Sequence, residues 1–417
     1  LVSPEHAQPP EGKLSTALGR RNVSLFPTPR SPGGVYCLEL AGEDDAFAAR
    51  EAAAAAGGER TDVSASEASG GSGDERSGSS GGSRSSSDHR SDGVDVLAPG
   101  LALAGHVDRE RLRGLAYTHA ADELVARTDA GLGTAEIALE AAAPFDREGT
   151  VAVRARDVRG LTGVSTADAE RRLGGVLVDQ GYEVDLDDPD HELRALFSSA
   201  AGIEDPDGSG DAPGKIPASD GVCVLGWLDT ESERDFGERR PTDRPFFQPG
   251  SMAPMDARAL ANIAGAAPGQ TILDPMCGTG GTLLEAGLVG ADVVGTDAQW
   301  KMVRGTAENL DALVEGVDVA VARADATALP LRETVVDGVV FDAPYGRQSK
   351  IATHRLEDLV EGALTEVARV SSHDATCVLM ADRDWREAVA PTPWRLTDRF
   401  ERRVHGSLTR HVHVLEK

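Results

Sequence analysis

The residues best suited to chemistry stand at the ends of apolar runs in the C-terminal part of the chain. The first is Thr271-Ile272-Leu273-Asp274, an apolar strand closing on a carboxylate. A turn follows, Pro275 to Gly281, containing Cys277, Gly278, Thr279 and Gly280, and it leads into a helix over Thr282 to Leu288. Glycine at such a turn lets a ligand approach the backbone closely. Leu283 stands where a dinucleotide fingerprint requires its third glycine, and no Gly-Lys-Ser/Thr follows, so this is neither a dinucleotide nor a phosphate loop. By itself it also fits a plain strand-to-helix turn. A second run, Val293-Val294-Gly295-Thr296-Asp297, again ends in an acid. A carboxylate at that strand tip can accept bonds from ribose hydroxyls, or it can cap a helix. A third acid, Asp325, followed by Ala326, comes after the strand-like Val319 to Val321 and is placed to meet an adenine edge.

The fourth run decides between these readings. Val339-Val340-Phe341-Asp342-Ala343-Pro344-Tyr345-Gly346 is a strand ending in D-x-P-Y. Methyltransferases acting on planar amino nitrogens carry a similar [N/D]-P-P-[Y/F/W] there. The exocyclic amine of a base is a weak nucleophile because its lone pair is delocalised into the ring. Acceptors aimed at its two protons favour a pyramidal nitrogen with a localised pair. The Asp342 carboxylate supplies one acceptor and the Ala343 carbonyl a second. Groups fixed before reaction lower the barrier without reorganising. Pro344 holds the turn, Tyr345 stacks on the base, and Asp342 can accept the departing proton. The methyl donor is then S-adenosylmethionine, held by Asp274, Cys277, Gly278, Thr279, Gly280, Asp297, Asp325, Ala326 and Asp342. Ala343 replaces the commoner proline, which leaves the carbonyl in place on a less rigid turn.

With these residues the C-terminal part resembles class I S-adenosylmethionine-dependent methyltransferases. From Val35 onward the chain resembles the archaeal tRNA (guanine(10)-N2)-methyltransferase/dimethyltransferase family of haloarchaeal type, which carries a THUMP domain. The resemblance rests on Arg244-Pro245-Phe246-Phe247-Gln248-Pro249-Gly250-Ser251-Met252, on Asp274 to Gly281, on Asp342 to Arg347 and on His405-Gly406-Ser407-Leu408-Thr409-Arg410. Its THUMP portion rests on Val151 to Phe197, and Gln248 stands where relatives often have histidine. The resemblance implies methylation of the 2-amino group of guanosine 10 in tRNA. It also implies that the N-terminal and THUMP domains bind the acceptor end of the tRNA. Two other readings stay open. One is an amino-methyltransferase of ribosomal RNA or DNA adenine, and the other is a non-catalytic RNA-binding module.

The elements that must position these residues follow from periodicity. The fold expected is α/β: a Rossmann-like methyltransferase domain preceded by an α+β ferredoxin-like plus THUMP region. Residues 1–34 lack periodicity and an initiator Met, and read as disordered or as an artefact of the start. A ferredoxin-like domain is expected over 35–148, THUMP over 149–230, a charged linker over 231–250 and the catalytic domain over 251–417. Val35 to Leu40 alternates as a strand and Ala46 to Ala56 reads as a helix. Between Ser64 and Ser91, 18 of 28 residues are Ser or Gly, which marks a flexible insertion at about 57–93. Helices are expected at Asp108–Ala116, at His119–Arg127 and at Thr166–Gly181, the last with Thr166 as N-cap. Strands are expected at Leu101–Ala104, Val151–Arg156, from Val184, at His191–Phe197 and at Gly221–Leu228, and a hairpin over Phe400–Leu415.

Composition bounds the rest. Asp plus Glu number 69 against 42 Lys plus Arg, a net charge of −27, and only five of the cations are lysine. That excludes an overall basic nucleic-acid binder and matches a cytoplasm of high salt, where screening removes self-repulsion. The Arg pairs Arg239-Arg240 and Arg402-Arg403, together with Arg347, are candidate phosphate contacts, and Arg171-Arg172 reads as a solvated face. The four scattered cysteines suit a reducing cytosol rather than a disulfide framework. No apolar run is long enough to span a membrane. His411 and His413 alternate on a strand without a third ligand, so an exposed strand edge is expected rather than a metal site. Nothing in the sequence demands more than a monomer.

Overall fold

A computed structural model describes residues 24–25, 34–56, 93–142, 147–199, 221–344, 353–405 and 408–417. The expected Ser/Gly insertion, Tyr345 and Arg347 lie outside them.

In chain order the N-terminal elements are β1 (Ser24–Leu25), β2 (Tyr36–Leu40), α1 (Asp45–Ala56), β3 (Val94–Ala98), β4 (Leu101–Ala104), α2 (Arg109–Arg113) and β5 (Thr118–Thr128). Then come α3 (Leu132–Ala141), β6 (Thr150–Asp157), α4 (Thr166–Asp179), β7 (Glu183–Val184), β8 (His191–Ser199) and β9 (Gly221–Glu231). The catalytic part comprises α5 (Pro254–Ile263), β10 (Thr271–Asp274), α6 (Gly281–Leu288), β11 (Asp292–Asp297), α7 (Trp300–Leu313), β12 (Val319–Arg323) and β13 (Val336–Asp342). It closes with α8 (Thr353–Val370), β14 (Ser371–Ala381), α9 (Arg386–Val389), β15 (Arg395–His405) and β16 (Leu408–Glu416).

The chain forms two compact units, and their division falls inside β5 and β9. One contains the described parts of Leu1–Arg30 and Leu124–Trp227, the other those of Ser31–Glu123 and Leu228–Lys417. In the first, β6 runs parallel to β8 and β7, and β8 pairs antiparallel with β9. Helices α3 and α4 bury Leu139, Leu173 and Leu177 in its core.

The second unit holds a seven-stranded sheet in the order β12-β11-β10-β13-β14-β16-β15. Five strands are parallel, and the last hairpin enters antiparallel. This is the doubly wound class I methyltransferase arrangement, with its switch point between β10 and β13, where ligands bind at the carboxyl ends of strands. The N-terminal segment shares the core of this unit. Phe47 of α1 meets the Phe400 ring at 5.4 Å, and Leu38, Leu260, Val340 and Val412 belong to the same apolar cluster.

Four expectations are corrected. His119 to Arg127 is a strand, β5, not a helix; its Ala-rich sequence favours a helix, but pairing of Tyr36–Leu40 with Thr118–Glu123 overrides that propensity. The N-cap of α4 is Ser165, whose hydroxyl accepts from Asp168 N, one residue ahead of the expected Thr166. The strand from Val184 is only the two-residue β7. His413 is not on an exposed edge: β16 lies between β14 and β15, and His413 is fully buried. Among the described residues, no helix is long and apolar enough to cross a membrane, and no group of His, Cys, Asp or Glu is placed to hold a metal.

Candidate active site

Asp274 ends β10, the strand flanked on both sides by parallel neighbours. Its Oδ1 accepts from Met276 N at 3.0 Å and its Oδ2 from the Thr282 hydroxyl at 2.6 Å. The carboxylate thus clamps both ends of the glycine turn. Burial, against these hydrogen bonds and with the charges of Asp342 and Asp297 adding, raises its pKa to about 7. Gly280 sits at φ +76°, and a Cβ there would meet Thr306 Cγ2 at 2.7 Å, so both backbone and space require glycine. Further bonds fix the turn: Thr306 Oγ1 donates to Gly278 O and Cys277 N to Thr296 O. Asn309 Nδ2 donates to Thr279 O and to Phe246 O, while Asn309 Oδ1 accepts from Phe246 N. One α7 side chain therefore stitches the Arg244–Phe246 segment to the glycine turn.

Asp297 ends β11; its carboxylate accepts from Gly278 N at 3.2 Å and Gln299 N at 2.8 Å. Burial raises its pKa despite these bonds. Asp342 ends β13, and Ala343 N donates to Met380 O at 2.8 Å, tying that strand end to β14.

These strand ends enclose a cavity of ≈ 970 Å³. Of the residues singled out from sequence, Asp274, Cys277, Gly278, Thr279, Asp342, Ala343 and Pro344 line it. That volume and an open glycine backbone suit a nucleoside-bearing cofactor together with a base. The buried Cys277 thiol has its pKa pushed up by burial, which leaves no thiolate nucleophile and agrees with a place in the pocket wall. Gly280 and Asp297 stand behind this wall, supporting it. Asp325 and Ala326 are not on it: the Asp325 carboxylate accepts from Thr327 N at 3.0 Å and the Thr327 hydroxyl at 2.8 Å, closing its own turn.

Two of the proposed phosphate contacts are corrected. Arg239 is 7% exposed and turned inward onto Glu285, with Nε–Oε1 at 2.7 Å. Arg402 is held by Asp256 at 3.1 Å and stacked 4.4 Å over Phe47 and 4.6 Å over Tyr117. Both side chains spend their donors inside the fold. Arg240 and Arg403 are exposed.

Sequence reasoning missed Ser251, Met252, Met302, Asp382, Arg383 and Arg410, all in the cavity wall. The signal for Asp382 was available, because it follows the buried strand end Leu379-Met380-Ala381 as Asp342 follows Phe341. Ser251, Met252 and Arg410 lie within the motifs that carry the family resemblance, whereas Met302 and Arg383 carry no local pattern.

Residues 241–412 match the family described as "RMKL-like, methyltransferase domain". The chain is 35% identical over 312 residues to the tRNA (guanine(10)-N2)-dimethyltransferase of Methanothermobacter thermautotrophicus, covering 73% of this chain and 83% of that protein. It is 29% identical over 272 residues to the protein of the same name from Pyrococcus abyssi, covering 64% of this chain and 74% of that one. A U6 snRNA (guanine-N(2))-methyltransferase of Homo sapiens is 31% identical over 143 residues, covering 34% of this chain and 27% of that protein.

Proposed function

The chain belongs to the tRNA (guanine(10)-N2)-dimethyltransferase family, and from that premise we propose that it methylates the exocyclic 2-amino group of guanosine 10 in tRNA, first once and then twice. The observation that carries this reading is the cavity in which the glycine turn after β10 faces Asp342-Ala343-Pro344 after β13.

When bound, S-adenosylmethionine supplies an electrophilic methyl group on its sulfonium. The Asp274-clamped turn would hold and orient it, and Asp297 would brace that turn through Gly278 N. Asp342 accepts a hydrogen bond from one amine proton of the base, and the Ala343 carbonyl accepts from the other. This localises the nitrogen lone pair toward the methyl carbon. As nitrogen becomes bonded to carbon, Asp342 takes up the proton the amine loses. Pro344 keeps the turn in place, and Tyr345, outside the described residues, is assigned to stack on the base. The base must leave its helix to enter a cavity at this depth. A second turnover on the monomethylated amine uses the same acceptor on the one remaining proton.

The THUMP region expected over 149–230, most of which falls in the compact unit that holds Leu124–Trp227, is assigned the grip on the tRNA at a distance from the target. The −27 charge and the scarcity of lysine support an enzyme of haloarchaeal type adapted to high salt, which we assign to the cytoplasm as a monomer. The human relative covers only about a third of this chain and is named for another RNA. The catalytic part thus sets the chemistry, and the remainder of the chain sets the RNA.

The test is transfer of labelled methyl to unmodified tRNA transcript in high KCl, followed by nucleoside analysis. N2-methylated guanosine that vanishes when the tenth base is changed supports the reading. Transfer to another RNA but not to tRNA would keep the chemistry and replace the substrate.

A further inference from the structure

Asp382 and Arg383 after β14, and Thr409 and Arg410 on β16, line the cavity but take no part in the mechanism above. The register of the sheet gives two of them a place. In the parallel pair β13–β14, Asp342 stands opposite Met380. In the antiparallel pair β14–β16, Met380 stands opposite Val412 and Ala381 opposite His411. One more step in that register sets Asp382 opposite Arg410. Side chains alternate between the faces of a sheet, so Asp382 shares the face of Met380 and Arg410 that of Val412. The core agrees: Val340, Met380 and Val412 belong to one apolar cluster, Phe341 and Leu379 to the other. Asp342, Asp382 and Arg410 therefore stand on one face of three consecutive strands, about 4.8 Å from strand to strand.

The loop that carries Asp382 is fixed in advance. Asp382 Oδ1 accepts from Arg383 Nε at 3.0 Å, and the Arg383 guanidinium lies 5.6 Å over the ring of Trp385. Trp385 is buried, and its N donates to His413 Nε2 at 3.1 Å. Asp384 accepts from Arg386 N at 3.0 Å and from Arg399 Nη1 at 2.7 Å. Both β15 and β16 thus hold the loop. Among the described residues nothing but Arg383 bonds to the Asp382 carboxylate, which keeps capacity for a ligand.

Across the three strands the order is acceptor, acceptor, donor, because a carboxylate accepts and a guanidinium only donates. The Watson–Crick edge of guanine runs 2-amine, N1–H, O6: donor, donor, acceptor. Adenine and cytosine instead carry a ring nitrogen lone pair beside their amine. We infer that Asp382 and Arg410 select guanine. With the 2-amine on Asp342, Asp382 accepts from N1–H and Arg410 donates to O6. The inference rests on the amine-methylation reading of the cavity above. An adenine or cytosine with its amine on Asp342 turns a lone pair toward the Asp382 carboxylate, so rejection comes from repulsion as well as from a lost bond. The D-x-P-Y turn activates a planar amine of any base, and the neighbouring strands restrict which base brings it.

The test uses the full chain in high KCl, with tRNA transcripts carrying guanine or 2-aminopurine at the tenth nucleotide. 2-Aminopurine keeps the reacting amine but has a lone pair at N1 and no O6. Wild-type kcat/KM should be lower on the analogue by about a hundredfold or more. Asp382→Asn presents an N–H to that lone pair and should narrow the ratio by about tenfold or more. Its affinity for S-adenosylmethionine should change less than about threefold. Any effect of the analogue on tRNA folding acts on both enzymes and cancels in the comparison. Arg410→Gln should lower kcat/KM on guanine more than on the analogue, which has no O6 to lose. Equal losses on both bases in Asp382→Asn would mark a merely structural role and overturn the assignment. Wild type using both bases equally well would overturn it while leaving the methyltransferase reading in place, and needs no variant to fold. No transfer by wild type to the guanine transcript would remove the substrate reading and this assignment with it.

Discussion

Asp342 and Asp274 are both strand-end carboxylates in one cavity, yet their surroundings give them different work. Asp342 lines the cavity and, in the mechanism proposed, accepts from the amine, so its loss should act on the rate. Asp342→Ala is expected to lower kcat by about 10²–10³ with cofactor affinity nearly unchanged. Asp342→Asn keeps an acceptor oxygen and should fall between that variant and wild type. Steady-state kinetics paired with equilibrium binding of S-adenosylmethionine checks both, and an Asp342→Ala enzyme keeping most of its rate would sink the mechanism. Asp274 is instead buried beneath the turn, with its pKa raised from 3.8 to about 7. The folded protein holds this proton more tightly than the unfolded chain does. The resulting stabilisation is complete below about pH 4 and is lost as pH rises through about 7. Asp274→Asn does not titrate, so its melting temperature relative to wild type should be highest near pH 8 and drop as pH is lowered toward 5. These acids were legible in the sequence because a carboxylate closing an apolar run is a local pattern. Arg410 was legible only as part of a family motif; its place opposite Asp382 depends on the pairing of β14 with β16, which no spacing reveals.

At the scale of elements, the alternation of strand and helix after residue 250 was readable because buried parallel strands are short apolar runs bounded by turns. The N-terminal part was harder. Its β5 carries the sequence of a helix, and only pairing with β2 makes it a strand. Glu51 of α1, fully buried, ties α1 to the backbone before β5 and to Asn262 of α5. Its carboxylate accepts from Ala116 N at 2.7 Å, Tyr117 N at 2.6 Å and Asn262 Nδ2 at 2.7 Å. Glu51→Ala strands three buried donors and should cost about 3 kcal/mol or more, read as a lowered denaturation midpoint. The glycine turn is constrained in the same way. Gly280→Ala is expected to weaken cofactor binding more than it lowers stability, because the clash with Thr306 moves the wall the ligand lies on.

At the scale of the whole molecule, two properties govern behaviour. The first is the charge of −27. In molar salt the Debye length is about 3 Å, and at low salt it exceeds the spacing of surface carboxylates. Both tRNA affinity and melting temperature should therefore fall as KCl is withdrawn, and full activity in salt-free buffer would contradict this. The second is the shared core of the unit formed by Ser31–Glu123 and Leu228–Lys417. Residues 241–412, which by sequence look like a self-sufficient methyltransferase domain, leave the apolar surface under α1 uncovered. Expressed alone, that fragment should be insoluble or molten, as near-UV circular dichroism would show.

That core also has an order of assembly. Arg50 of α1 pairs with Asp398 at 3.1 Å across a sequence separation of 348, and Arg402 of β15 is stacked on Phe47. A helix made early is therefore completed by a hairpin made much later. The core shared by Ser31–Glu123 and Leu228–Lys417 cannot close until that hairpin has been made. A message cut short before the hairpin then yields no closed core in this unit. It yields a polypeptide with an exposed apolar helix, which quality control can recognise and degrade.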